Sequence, residues 1–380
     1  MSLTTSTLDL IDHHCHGVVR HDLDPPAFEA LLSEGGAAPA GMSNFDTPAG
    51  LAVRRHCAPV LDLERHAPPA DYLQRRAELG TEEVTQRLMA AARTRLFLVD
   101  AGFRGAELLS PAELGAAAGG QAREIVRLES VAEALAGDGI DAGGFADSYA
   151  DALATAVTTT RAVGVKSVAA YRVGLDFEAA APARQEVRLA ADHWLERGPG
   201  PHGWRLDDPV LVRALLWSAV EVGLPIQFHT GFGDRDLALH RANPLLLTDF
   251  IRAVPERLPV MLLHCYPYHR EAGYLAAAYP QVYVDVGLAL NFVGPGRAGA
   301  VLAEALELTP FAKMLYSSDA FGLPELYHLS AVVFRRALAR LLEDRVHSGE
   351  WSAADAVRVA HMIGSGNAER AYALESRDVH

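Results

Sequence analysis

The sequence predicts an α/β fold, a (β/α)8 TIM barrel with a helical insertion after strand 1 and extra C-terminal helices. Three observations predict it: short β-branched apolar runs alternate with longer helical patterns, the runs number eight, and no GxGxxG fingerprint or P-loop follows the first of them. Eight strand–helix units in one chain favour a closed barrel over an open doubly wound sheet.

The candidate strands are Leu8–His13, Leu96–Ala101, Glu124–Leu128, Val163–Ala169, Pro225–His229, Val260–His264, Val282–Val286 and Lys313–Ser317. Roughly eighty residues follow the first run, punctuated by Pro25-Pro26, Gly35-Gly36 and Pro68-Pro69, and residues 25–92 read as a helical insertion over or beside the barrel mouth. The repeating unit is plainest near residue 215. Asp207 and Asp208 offer a cap, Pro209 fits the first helical turn, and Leu211, Leu215, Ala219 and Val222 recur at helical spacing. Gly223 then ends the helix, and Pro225-Ile226-Gln227-Phe228 opens a strand. The next unit repeats the design, with a helix near Pro244–Ala253 before Val260. The tail holds two further helical patterns, 325–347 and 352–374, expected to pack outside the barrel, so residues 1–380 read as one domain.

The excess of 48 acidic over 34 basic residues, a net charge of −14, repels polyanions and anionic membrane surfaces; the expected partner is a small-molecule substrate, with no nucleic acid and no membrane. The apolar run 210–226 is broken by Arg213, Glu221 and Pro225, too soon for a membrane span. The opening residues lack a basic and apolar leader pattern, and Cys15, Cys57 and Cys265 form no CxxC, which together point to a reducing, cytoplasmic setting.

Function is argued from strand ends, where barrels of this class keep their working residues. His14 and His16 end the first run, His229 the fifth and His264 the sixth, while Asp319 follows the eighth. Strand alternation puts His14 and His16 on one face, within reach of a single ion, and His13 and Cys15 on the other as packing residues. Imidazoles with one carboxylate suit zinc first, with iron, manganese, nickel or cobalt as rivals. Other histidines, such as His21 and His193, fall at no strand end and read as surface or capped residues. Arg172, just past the fourth run, is placed to clamp a substrate carboxylate or to form an ordinary surface ion pair. Asp234 and Asp236, after Gly231-Phe232-Gly233, either read a substrate ammonium or shape a glycine-rich turn. Glu129, Asp100 and Asp285 are acids expected to face the cavity; Tyr171 and Asn291 are further candidates there.

These residues also carry a resemblance. Asp12-x-His14-x-His16, the strand-end His229 and His264, and Ser318-Asp319 resemble the amidohydrolase superfamily, in its amidohydrolase-2 branch. The stretches Val165–Arg172 and Gln227–Asp234 are more similar still to the amidohydrolase-like domain of FluG-type proteins, and Gly366–Arg370 resembles the closing helix of that branch. The resemblance implies His14, His16, His229 and Asp319 as ligands of one divalent metal ion, with a second ion left open. It implies for His264 either binding of that second ion or a part in catalysis, and a homodimer as the assembly. Binuclear members carry a carboxylated lysine at the end of strand four; Lys166 either plays that part, acts in catalysis, or neutralises barrel acids, and as a buried ammonium it requires an acidic or metal-site neighbour.

The function expected is hydrolysis of an amide or related C–N bond in a small polar, carboxylate-bearing substrate, with Asp319 taking the proton of a metal-activated water and His264 supporting the oxyanion. A non-oxidative decarboxylase on the same metal site is the alternative, and a non-catalytic metal-binding scaffold is the second.

Overall fold

Seven of the eight expected runs form one parallel sheet in a computed structural model of the chain. It describes residues 7–374, so the two ends of the domain expected over 1–380 lie outside the described residues. The strands are β1 (Leu10–Cys15), β2 (Thr94–Asp100), β3 (Gln121–Arg127), β4 (Gly164–Ser167), β5 (Ile226–His229), β6 (Val260–Leu263) and β7 (Val282–Val284), paired in that order. Helices cross over between them, as parallel pairing requires. The helix Pro209–Val222 shows why the chain folds this way locally. Asp208 accepts from the N–H groups of Val210 and Leu211, Pro209 needs no such partner, and Gly223 ends the helix at φ 75°, the left-handed region that glycine enters without strain.

The two edges of the curled sheet meet through residues 314–320. Leu315 N–H donates to the Val284 carbonyl (2.9 Å), while His13 N–H donates to Tyr316 (3.1 Å) and Asp319 N–H to His14 (3.0 Å). The eighth run thus lies between β7 and β1, but it is not a regular strand. Phe311–Lys313 forms a 3-10 turn, and Asp319 leaves the extended region at φ 47°. The architecture is TIM-barrel-like.

Side-chain alternation splits the apolar residues into two layers. Ile11, Leu96, Leu98, Ile125, Met261, Leu263 and Leu315 fill the inside of the curl, closed below by Tyr372. Phe97, Val126, Val165, Phe228, Leu262 and Val284 face outward onto the helices. The pattern breaks in β1, whose register with β2 shifts between Asp12 and Cys15. Cys15 packs against the helix layer as expected, but His13 joins the polar interior beside His14, hydrogen-bonded to Tyr372 (3.0 Å) and Asp285 (2.9 Å). A bulge of this kind re-aims side chains that strict alternation would send outward.

Between β1 and β2 lie α1 (Pro25–Ala30), α2 (Pro48–His56) and α3 (Pro69–Ala92). Arg76 and Tyr72 of α3 both bond the buried Glu325 carboxylate (2.9 and 3.0 Å), tying that helix to the long helix Pro324–His347. The second tail pattern divides into Ala353–His361, a π-turn over Met362–Gly366 and Asn367–Ala371. Among the described residues no helix is long and apolar enough to cross a membrane.

Candidate metal centre

The C-terminal ends of the strands surround a cavity of about 300 Å³. His16, Lys166, Tyr171, Arg172, His229, Asp234 and Asp319 line it, joined by Ala30, Leu31, Ser33 and Glu34 from the segment after β1. At its floor, Asp319 Oδ1 lies 3.0 Å from His14 Nε2 and 3.5 Å from His16 Nε2, and Asp319 Oδ2 lies 3.4 Å from His264 Nε2. The rings of His229 and His264 are 4.7 Å apart, and those of His14 and His16 5.2 Å.

The outer nitrogens are held so that the inner ones face the cavity. His14 Nδ1 bonds Gln227 Oε1 (2.8 Å), and His16 Nδ1 bonds the Asp100 carbonyl (3.0 Å). Such supports fix tautomer and ring orientation in metal-binding imidazoles. Gln227 is itself held, donating to the His13 carbonyl (2.7 Å) and the Tyr372 hydroxyl (2.8 Å). Meanwhile His229 Nε2, both nitrogens of His264 and Asp319 Oδ1 are buried without a hydrogen-bond partner among the described residues. Buried polar atoms are normally satisfied, so several orphans around one point mark a place for a charged ligand.

Protonation states agree with this. Burial, then the neighbouring Lys166 charge, push the His14 imidazole down to about 3; burial lowers His229 and His264 as well. These rings are therefore neutral, as ligands must be. Burial opposes ionisation of Asp319, but the surrounding His264, His14 and His16 imidazoles hold its carboxyl well below the usual range. His264 (φ 68°) and Asp319 (φ 47°) both sit in the left-handed region, which costs non-glycine residues on the order of 1–3 kcal/mol each. Their backbone N–H groups are pinned by Asp285 (3.0 Å) and by the His14 carbonyl (3.0 Å).

The donors fit a divalent ion. His14, His264 and Asp319 offer atoms mutually within 4.8 Å, as do His14, His16 and Asp100. His229 belongs to neither group, though its ring faces His264 across the same floor. Lys166 lies in mid-strand, paired in register with Arg127 and Gln227, with Nζ 3.0 Å from His14 Nε2. Burial brings its ammonium down to about 8 against the charges of Asp100, Asp319 and Asp285, the acidic neighbours a buried lysine needs.

The remaining candidates divide. Tyr171 packs its ring 4.5 Å from that of His229, and its hydroxyl accepts from Asp234 N–H (3.4 Å). Gly233 permits this closeness, because a Cβ there would collide with the Tyr171 hydroxyl and come within 2.9 Å of His229 Nε2. Arg172 lines the cavity but is paired with Glu133 (3.1 Å). Asn291 lines it too. Asp100 spends its carboxylate on Arg127 (2.5 Å), and Asp285 accepts from His13, His264, Gly287 and Ser317. Glu129 does not end β3. It falls in the first turn of the helix Leu128–Gly137, away from the cavity lining, where its buried carboxylate accepts from Ser167 (2.7 Å) and Val168 (3.0 Å). The strand stops at Arg127, and that short slip sends the side chain elsewhere. Residues missed at the sequence level are Glu34, which had no periodic signal, and Gln227, which strand alternation with His229 could have found.

The sequence matches the family described as amidohydrolase over residues 11–374. It is 34% identical to protein fluG of Emericella nidulans over 242 residues, which is 61% of this chain but only 28% of that protein. A crystal structure described as a metal-dependent hydrolase from Lactobacillus casei superposes with a TM-score of 0.83 at 27% identity, covering 99% of this chain and 98% of the other. The glucuronate isomerase of Caulobacter crescentus shares the fold, with a TM-score of 0.64 at 16% identity over 97% of this chain and 92% of that one.

Proposed function

The chain belongs to the amidohydrolase family, and from that premise we propose that it hydrolyses an amide or related C–N bond in a small polar substrate. The observation carrying this reading is the set of buried, partnerless donor atoms on His229, His264 and Asp319 beside the oriented His14 and His16. His14, His16, His229 and Asp319 would hold one divalent ion, zinc by preference for imidazole and carboxylate donors, with His264 available to a second. When bound, such an ion supplies a Lewis acid that makes water nucleophilic near neutral pH.

The chain's own groups then divide the proton work. Asp319, ionised and at the centre of the floor, takes a proton from the attacking water and delivers it to the departing nitrogen, so that C–O forms as C–N breaks. His264 Nε2, buried and unpartnered, donates to the oxygen that gains charge. Lys166 balances the floor's carboxylates through charge. Residues 25–92 act as a helical insertion of a single hydrolase barrel, excluding water through Ala30, Leu31 and Glu34. A cytoplasmic homodimer is the assembly this reading carries.

The test is a product assay on metal-loaded protein. Amides, beginning with γ-glutamyl amides by analogy with the FluG-type relative, should release ammonia or amine. Release of CO2 from carboxylates, or aldose–ketose interconversion of a uronate, without any amine release would replace hydrolysis by a lyase or isomerase reaction.

A further inference from the structure

The charges around the cavity are unevenly matched. Arg127 is held by Asp100, Arg104 by Glu107 and Arg172 by Glu133. Arg205 donates to the Tyr171 carbonyl (2.8 Å), with Asp236 3.9 Å away. Every guanidinium lining the cavity therefore has a protein acceptor already. Two carboxylates of the same lining lack a cation. Glu34 makes no hydrogen bond or ion pair with a described residue. Asp234 Oδ1 accepts only the Asp236 N–H of its own turn (2.8 Å). Asp234 N–H donates to the Tyr171 hydroxyl (3.4 Å), and both acids line the same cavity as that ring.

We propose that the cavity selects a substrate bearing a protonated amine remote from the scissile bond, with Glu34 and Asp234 as its counter-charges. The proposal deepens the hydrolase reading and rests on it only for the fate of the scissile bond. The partly buried Glu34 and the exposed Asp234 carboxylates, lining one cavity, are relieved by a shared cation, whereas a substrate carboxylate would add a third like charge. Burial, followed by the charges of Asp319 and Asp234, pushes the Glu34 carboxyl up to about 8, and a neighbouring ammonium would draw it back down. Arg172, expected opposite a substrate carboxylate, pairs with Glu133 through Nη2, while its buried Nε has no hydrogen-bond partner among the described residues. The sequence held the polar half of this in Asp234, but the opposing acid comes from the loop after α1, and only the fold brings the two into one cavity.

Three probes separate the alternatives: hexanamide, 6-aminohexanamide and adipamic acid, which share a primary amide on a similar chain and differ at the far end. Calorimetric titration into metal-loaded protein should show 6-aminohexanamide binding about tenfold or more tighter than hexanamide, with adipamic acid weakest. In the Glu34→Gln/Asp234→Asn double variant that ratio should fall to near one, with metal content unchanged. Tightest binding by adipamic acid, equal or undetectable binding of all three, or a preference surviving in the double variant each overturn the proposal. Ammonia release from the probes is scored separately. Amine preference without release keeps the proposal and counts against the hydrolase reading, while equal release from all three does the reverse.

Discussion

His13 and His264 are both fully buried histidines of one barrel, yet one is saturated and the other bare. His13 bonds Tyr372 through Nδ1 and Asp285 through Nε2; His264 makes no hydrogen bond at either nitrogen among the described residues. The carboxylates divide in the same way. Asp285 accepts from four donors and Asp12 from two, the N–H and hydroxyl of Ser318, whereas Asp319 keeps a buried oxygen without a partner. Identical side chains of one barrel therefore serve different ends. The lower layer is a closed polar network that fixes the strands, and the upper layer is held open for something not made of protein. Unsatisfied buried groups are costly, so their concentration at the mouth is where function has been favoured over stability.

The sharpest way to break this contrast is at the upper layer. Asp319→Asn keeps the shape of the side chain but removes the charge, and amide hydrolysis should fall by about 10³-fold or more with thermal stability unchanged or raised. An unchanged rate would mean that Asp319 moves no proton. Next in size is Gln227, which links the two layers. Gln227→Leu frees His14 Nδ1, and metal affinity measured by competition with a chelator should fall about 10- to 100-fold. A change in the lower layer should read the other way round. Tyr372→Phe removes a hydroxyl shared by His13 and Gln227, and should cost about 1–3 kcal/mol in denaturant unfolding with less than a tenfold effect on kcat.

The smallest effect expected is a pH dependence of the metal-free protein. Burial lowers the folded-state pKa of His14 to about 3 from 6.5, so between those values the unfolded chain binds the extra proton. Stability from this group is complete above about 6.5 and is lost as pH falls towards 3. Asp12, pushed up to about 8 by burial, has the opposite sign across its own range, so the comparison is between wild type and His14→Gln. The wild type should lose more stability from pH 7 to 5 than the variant. Parallel curves would remove His14 from the account.

How far this was legible in the sequence follows from the same two layers. Short apolar runs between helical patterns placed seven strands to within a few residues, because burial on both faces of the sheet dictates them directly. The eighth run failed as a strand since its bonds to β1 and β7 are irregular and Asp319 turns out of the extended region. The cluster of His14, His16, His229, His264 and Asp319 was visible because strand ends converge in a barrel wherever the helices lie. Glu129 was misplaced by a strand that ended early, and His13 by a bulge, both errors of local register that no periodicity reveals. Glu34 was out of reach altogether, since its meeting with Asp234 depends on how a long segment folds back over the mouth.

The central claim is that the partnerless upper layer is a cation site. Cobalt titration of metal-stripped protein, followed by visible absorption, tests it most directly. Saturation is expected at one or two equivalents with d–d bands typical of nitrogen and oxygen ligands, with loss of those bands in His14→Ala and His229→Ala. Failure of wild-type protein to bind cobalt stoichiometrically, or bands that persist in both variants, would contradict it.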